Sequence, residues 1–416
     1  MPTSLRFRLS LLMFLQYFMF GAWLVTLGVY MSKTLGFDDI IGTAYGMQGF
    51  ATLVATLLVG GLADRYFQAQ KVLGILALLS GATLFLLATV DHSRPLFLAC
   101  LSLHFMVFVP TIPLGSAIVL HCVTDRAGQF PSVRVFGTLG WIFAGLLIGS
   151  LPGAAFTSLP LKLGGTVGLL LGLYAFTLPA VPPSPARGPV PWRELTGIDM
   201  VLRLRERDFA LFIAGVMLMN VPLAFYNTYF NNFLVEAGVS LDFLGRRFEP
   251  AAIQTLGQAS ELVFLLLLPF FLLRHGVKGV LVVGMLSWAL RYALFAWGAV
   301  EPASLFPLVI IGVLLHGVCY DFFFVAGQLY VDERFEASAR SRAQAFLVMI
   351  NMGIGVILAS NLANAVYAAH TESATQHRWA GIWAWPAGLA LVAGLAFASF
   401  FRLRRPAGVG SGIATG

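Results

Sequence analysis

Apolar residues in this chain come in long unbroken blocks separated by short polar breaks, a pattern of neither amphipathic surface helices nor alternating strands. Twelve blocks are read at 9–31, 41–63, 72–90, 95–119, 132–153, 161–179, 209–235, 250–273, 277–299, 304–330, 341–367 and 379–401. About 20 mainly apolar residues cross a hydrocarbon core of roughly 30 Å. Backbone groups in lipid must be hydrogen-bonded internally, so each block is predicted to be a helix. The expected fold class is an all-α integral membrane protein with twelve transmembrane helices. Arg6 and Arg8 precede the first block as in a secretory signal, but the block runs to about Met31 without a small-residue cleavage pattern and is counted as a span.

The longest polar connection, 180–208, divides six blocks from six. It opens with the proline-dense "PAVPPSPARGPVPWREL", read as an extended linker, and ends in "GIDMVLRLRERD", read as a short helix on the membrane surface. The expected domains are an N-terminal six-helix bundle at 1–179, the linker, a C-terminal six-helix bundle at 209–401 and a tail at 402–416. Two bundles related by a pseudo-two-fold axis, with a ligand between them near the midplane, is the transporter architecture this division predicts.

Composition sharpens the picture: 58% of residues are hydrophobic and 11% charged, which leaves no soluble domain, and the formal net charge is +7. The basic excess is positional. Lys33, Arg94, Lys162, Arg246, Arg247 and Arg378 fall on the side opposite the termini, Arg291 falls inside a span, and the rest of the 26 Lys and Arg lie on the terminal side. The positive-inside rule places both termini in the cytoplasm, with anionic lipid and not nucleic acid as the partner of these charges. Cys100, Cys122 and Cys319 are an odd number without metal-ligand spacing and are read as small packing residues, so no disulfide or metal is expected. The sequence shows no nucleophile–base motif or phosphate-binding loop, which argues against an enzyme, and no cofactor is expected.

Candidate chemistry lies in the polar residues inside the blocks. A carboxylate at mid-span costs about 2.5–3.5 kcal/mol on insertion scales, so it faces protein or water and marks a pathway. Glu261 sits midway along 250–273, and Gln258 shares its face. In "HGVCYDFFFVAGQLY", His316 and Tyr320 share a face and Asp321 points aside as a coupling or gating group. Arg134, Thr138 and Trp141 form one stripe, and Asn227 and Asn231 are four apart, offering amides to a ligand or glue between helices. Gln16, Trp23 and Thr26 are read as a cavity-lining face of the first span. Arg291 is expected to snorkel or pair, and has no assigned function. Amides, carboxylates and rings together suit a small, flat, hydroxyl-rich ligand, a nucleoside or a sugar.

Between the second and third blocks, "GGLADRYFQAQK" carries Gly60, Asp64 and Arg65, which resemble the G-x-x-x-D-R gating loop of the major facilitator superfamily, though Phe67, Gln68 and Ala69 depart from its usual continuation. "FLQYFMFGAWLVTLG", "RVFGTLGW", "QASELVFLLLLPFFL", "WALRYALFAWG" and "YDFFFVAG" resemble the bacterial nucleoside:proton symporters within that superfamily, over nearly the whole chain. The resemblance implies proton-driven import of uridine-like nucleosides across the inner membrane by alternating access, in a monomer. It places substrate binding at Arg134, Thr138, Trp141, Asn227, Gln258, Glu261, His316 and Tyr320, and proton coupling at Glu261 or Asp321. Ala224, His316 and Tyr320 stand where the family has glutamine, tyrosine and phenylalanine, which bears on base preference. A passive facilitator, a transporter of another small polar metabolite such as a sugar, and a non-transporting sensor are the rival classes.

Overall fold

The computed structural model of the chain describes residues 1–58, 67–183, 196–243, 245–373 and 376–402. The gating-loop residues Gly60, Asp64 and Arg65, most of the proline-dense linker and most of the tail lie outside the described residues.

Helix forms wherever the apolar blocks predict it. The first half contains Thr3–Val29, extended by a π turn at Tyr30–Leu35, then Ile41–Leu58, Ala69–Leu87, Arg94–Phe108, Thr111–Cys122, Arg126–Gly149 and Leu159–Ala175. The break between Arg94–Phe108 and Thr111–Cys122 falls at Pro110, whose missing N–H and bulky ring interrupt the helical ladder inside the block predicted at 95–119. In the second half come Arg207–Glu236, the helical stretch Pro250–Gly298, a segmented rod from Phe306 to Arg334, a second segmented rod from Ala337 to Ala369, and Trp379–Phe400. Pro250–Gly298 runs for 49 residues but turns at Gly276, where φ is 65° and ψ 170°. Only glycine adopts that conformation without strain, and it splits the stretch into two arms where two blocks are predicted. Nine helical stretches among the described residues are long and apolar enough to cross a membrane. Large apolar side chains such as Leu266, Leu273 and Val392 stand exposed along them, as a lipid-facing surface requires.

The polar breaks gather into two faces. On the terminal face, Arg8 donates to the Thr177 carbonyl, and the end of the linker, a 3₁₀ turn at Ile198–Arg205, is pinned by Asp199 to Arg342 at 2.6 Å. Arg334 reaches both Glu206, at 2.5 Å, and Asp208. Burial raises the proton affinity of the Glu206 carboxyl, but hydrogen bonds and charge from Arg203 and Arg334 outweigh it and hold the group below the usual carboxylate range. On the opposite face, Glu236 accepts from Lys33 at 3.5 Å and from His377 at 2.8 Å, beside two short hairpins, Leu241–Phe243 with Arg246–Phe248 and Thr371–Ser373 with Gln376–His377.

Hydrogen bonds between residues 1–179 and 209–401 concentrate toward that opposite face. Asn231 donates to the Val25 carbonyl at 3.0 Å and Asn232 to the Gly28 carbonyl at 3.2 Å. Asn364 accepts from the Gly42 N–H at 3.0 Å and donates to the Asp39 carbonyl at 3.2 Å, and the Glu249 N–H donates to the Gly149 carbonyl at 2.7 Å. The two halves are thus stitched together on one side of the membrane.

Candidate functional site

Between the two halves lies a cavity of about 720 Å³ lined from both of them. Pro113 and Val348, on its wall, are exposed, and its deep end stops beneath the asparagine stitches. The chamber therefore faces the side that carries the termini.

All eight residues expected to bind substrate line this one chamber: Arg134, Thr138, Trp141, Asn227, Gln258, Glu261, His316 and Tyr320. Arg134 comes from Arg126–Gly149, and its guanidinium is fixed by donation to the Tyr17 hydroxyl at 2.8 Å, with its carbon 4.1 Å above the Tyr17 ring. Trp141, one stripe further along, meets Phe20 edge-to-face at 5.1 Å. Asn227 projects into the chamber, whereas Asn231 is buried and occupied with the Val25 carbonyl. The pair is thus split: one amide faces the ligand space and the other is interhelical glue. Gln258 and Thr228 line the wall, and their Oε1 and Oγ1, both buried, have no hydrogen-bond partner among the described residues.

Glu261 and His316 are brought together by small residues. A Cβ on Gly317 would stand 2.6 Å from the Ser260 carbonyl oxygen, so only glycine lets His316–Tyr320 approach the first arm of Pro250–Gly298 this closely. The Gly317 N–H donates to the Ser260 Oγ at 3.0 Å, closing the contact. In consequence Glu261 Oε2 stands 4.0 Å from His316 Nε2. A π turn begins at Asp321. It turns the Asp321 carboxyl away from the chamber wall into full burial, where neither oxygen has a hydrogen-bond partner among the described residues. π turns of this kind recur at functional sites.

The cavity-lining face expected of Gln16, Trp23 and Thr26 is corrected. Trp23 does not line the chamber: it is fully buried against His104 at 5.0 Å and Phe105 at 5.7 Å, while Gln16 donates to the Thr111 carbonyl at 2.5 Å and Thr26 to the Trp23 carbonyl at 3.1 Å. The first helix turns instead its Tyr17, Phe20 and Leu24 face to the chamber. That stripe, spaced i, i+3, i+7, is visible in the sequence but uncharged, and the neighbouring polar residues point one position round the helix. Of the two fates expected for Arg291, snorkelling or pairing, the structure shows pairing: it is fully buried and donates to His316 Nδ1 at 2.8 Å.

A family model described as the nucleoside H+ symporter matches residues 3–405. The chain is 34% identical over 406 residues to the putative nucleoside transporter YegT of Escherichia coli K12, covering 95% of this chain and 93% of that protein. It is 31% identical to the nucleoside permease NupG of the same bacterium, covering 96% of this chain and 97% of that protein. The crystal structure of a point mutant of the nucleoside transporter NupG superposes with a TM-score of 0.88 at 30% identity, covering 96% of this chain and 100% of that one.

Proposed function

This chain belongs to the nucleoside H+ symporter family, a family of multi-pass membrane transporters, and from that premise we propose that it carries nucleosides inward together with protons by alternating access. The moving parts are the bundles 1–179 and 209–401, twelve spans in all, joined by the linker at 180–208, with both termini in the cytoplasm of a bacterial cell and the protein acting as a monomer in the inner membrane. The observation that carries the reading is the convergence of Arg134, Thr138 and Trp141 from one half with Asn227, Gln258, Glu261, His316 and Tyr320 from the other on a single chamber. Its volume of about 720 Å³ falls within the range of roughly 300–1,000 Å³ usual for small-molecule sites.

In this scheme the amides of Asn227 and Gln258 and the Arg134 guanidinium hydrogen-bond the sugar hydroxyls and base edges, while Trp141 and Tyr320 offer faces to a flat ring. Glu261 or Asp321 takes a proton from the outer side. Neutralising a carboxylate removes the cost of burying its charge as the chamber closes, so a loaded and protonated carrier crosses between states more easily than a charged one. The conformation described here, stitched on the face opposite the termini, is the inward-facing one. Each elementary charge moved through 100 mV contributes about 2.3 kcal/mol, enough for accumulation of tens-fold when coupling is tight.

The test is uptake by the purified protein in proteoliposomes, offered a panel of radiolabelled nucleosides and sugars with and without an imposed proton gradient. Accumulation of a nucleoside above equilibrium only when the gradient is present supports the reading; equilibration without accumulation would make the protein a facilitator, and accumulation of sugars alone would move the substrate class.

A further inference from the structure

Arg291 is a fully buried cation, and no carboxylate lies within ion-pair distance of it among the described residues. Its guanidinium carbon lies 3.9 Å above the Tyr226 ring and 5.3 Å from the rings of Trp288 and Phe295. Aromatic faces stabilise a desolvated guanidinium, which explains how the charge is tolerated but not why it is present. Its side chain donates from Nη1 to His316 Nδ1 at 2.8 Å.

A guanidinium carries only donors. The His316 Nδ1 that receives its N–H must therefore be the bare nitrogen of the ring, and the ring proton must sit on Nε2, the nitrogen that stands 4.0 Å from Glu261 at the chamber wall. The imidazole is also held in place sideways: it stacks on Tyr226 at 5.2 Å and meets Trp288 edge-on at 6.4 Å. We propose that Arg291 is a positioning residue which locks His316 as the Nε2–H tautomer, so that the wall presents a fixed donor beside the Glu261 acceptor to read a substrate edge in which an acceptor neighbours a donor. This rests on the transport reading above and deepens it. The chemical class such a pair takes is a ring edge with adjacent C=O and N–H, or adjacent ring nitrogen and amino group, as nucleobases have. A separation of 4.0 Å is too long for a hydrogen bond between the two side chains themselves, which leaves both free to bond such an edge.

The test has two arms. First, the wild-type protein labelled with ¹⁵N-histidine is examined by NMR, with the His316 signals assigned by their loss in His316→Tyr among the seven histidines of the chain. A protonated Nε2 and a bare Nδ1 are expected; a proton on Nδ1 overturns the proposal. This arm is read whether or not the protein transports nucleosides, so failure of the tautomer and failure of the transport reading are separable. Second, nucleoside uptake is compared in Arg291→Lys, Arg291→Met and Arg291→Met combined with His316→Tyr. Lysine retains a donor and should keep a near wild-type KM. Methionine should raise KM about tenfold with little change in kcat, the size of one misdirected hydrogen bond. Tyrosine has no ring tautomer to set, so Arg291→Met should change KM little when added to His316→Tyr, measured against His316→Tyr alone. An equal rise in KM on Arg291→Met in the histidine and tyrosine backgrounds would mean that Arg291 only fills space, and the proposal fails.

Discussion

Asn231 donates to the Val25 carbonyl at 3.0 Å, and with that bond the second half of the chain is tied to the first helix at the closed end of the chamber. Asn232 repeats the contact one residue on, to Gly28 at 3.2 Å. Both amides are buried, and losing one such hydrogen bond costs about 0.5–1.5 kcal/mol. Among the described residues these bonds join the halves on this face, so the cost falls on the state described here and not on the outward-open state. Asn232→Ala is expected to raise hydrogen exchange at the Val25–Val29 amides severalfold without unfolding either half. Unchanged protection there would show that the stitches do not hold the face closed.

Asn227 lines the chamber and, among the described residues, has no side-chain hydrogen bond like the one Asn231 makes. Asn227→Ala should weaken substrate by about tenfold, the factor expected for one hydrogen bond, while leaving the dependence of uptake on external pH unmoved. Initial rates across a series of substrate concentrations at two pH values check both parts. A change in the pH profile would place Asn227 in proton coupling and contradict its role as a ligand contact.

The terminal-face network offers a pH window. Glu206 is held below the usual carboxylate range by Arg203 and Arg334 once those outweigh its burial, so its folded pKa lies under its unfolded value of about 4.3. The stabilisation is then complete above that unfolded value and is lost as pH falls through the folded one. Its side chain is 34% exposed, so the contribution is under about 1 kcal/mol. Glu206→Gln should lower the melting temperature slightly at pH 7 and flatten its fall in the acid range below about pH 4.3. A variant whose melting curve tracks the wild type at every pH would show that the Arg334 network does not depend on this carboxylate.

The proposed coupling role falls first on Glu261, which lines the chamber next to His316 while Asp321 is sealed behind it. Glu261→Gln keeps the shape and removes the titration. Accumulation driven by a proton gradient should fall at least about tenfold, the effect of losing one coupled charge through a modest potential. Exchange of labelled for unlabelled nucleoside, which needs no net proton movement, should persist. Full gradient-driven accumulation by this variant would shift the coupling role to Asp321.

Much of this is legible in the sequence because membranes simplify the code. Long apolar blocks force helices, and polar residues within them are too costly to be idle, which is why Glu261, Gln258 and Arg134 stand out from the residue pattern alone. Position along a helix gives a face but not a depth. The spacing of Trp23 points it into the chamber, yet that face packs on His104 and Phe105, and the chamber takes the adjacent stripe of Tyr17, Phe20 and Leu24. Asn227 and Asn231 share a face in the sequence, and only the approach of the first helix separates ligand contact from glue. Arg291 has no assignable role in one dimension, because its partner, His316, lies on a different helix. Gly60, Asp64 and Arg65, expected to gate, lie outside the described residues.

Substrate and proton are proposed to cross together through the chamber holding Glu261. The most direct measurement records internal pH with a trapped fluorescent indicator in proteoliposomes of the purified protein, while uridine or another nucleoside is added outside without any imposed gradient. Co-transport predicts that nucleoside addition acidifies the interior in step with its uptake and that Glu261→Gln abolishes the acidification. Uptake of nucleoside with no accompanying proton entry in the wild type would contradict the account.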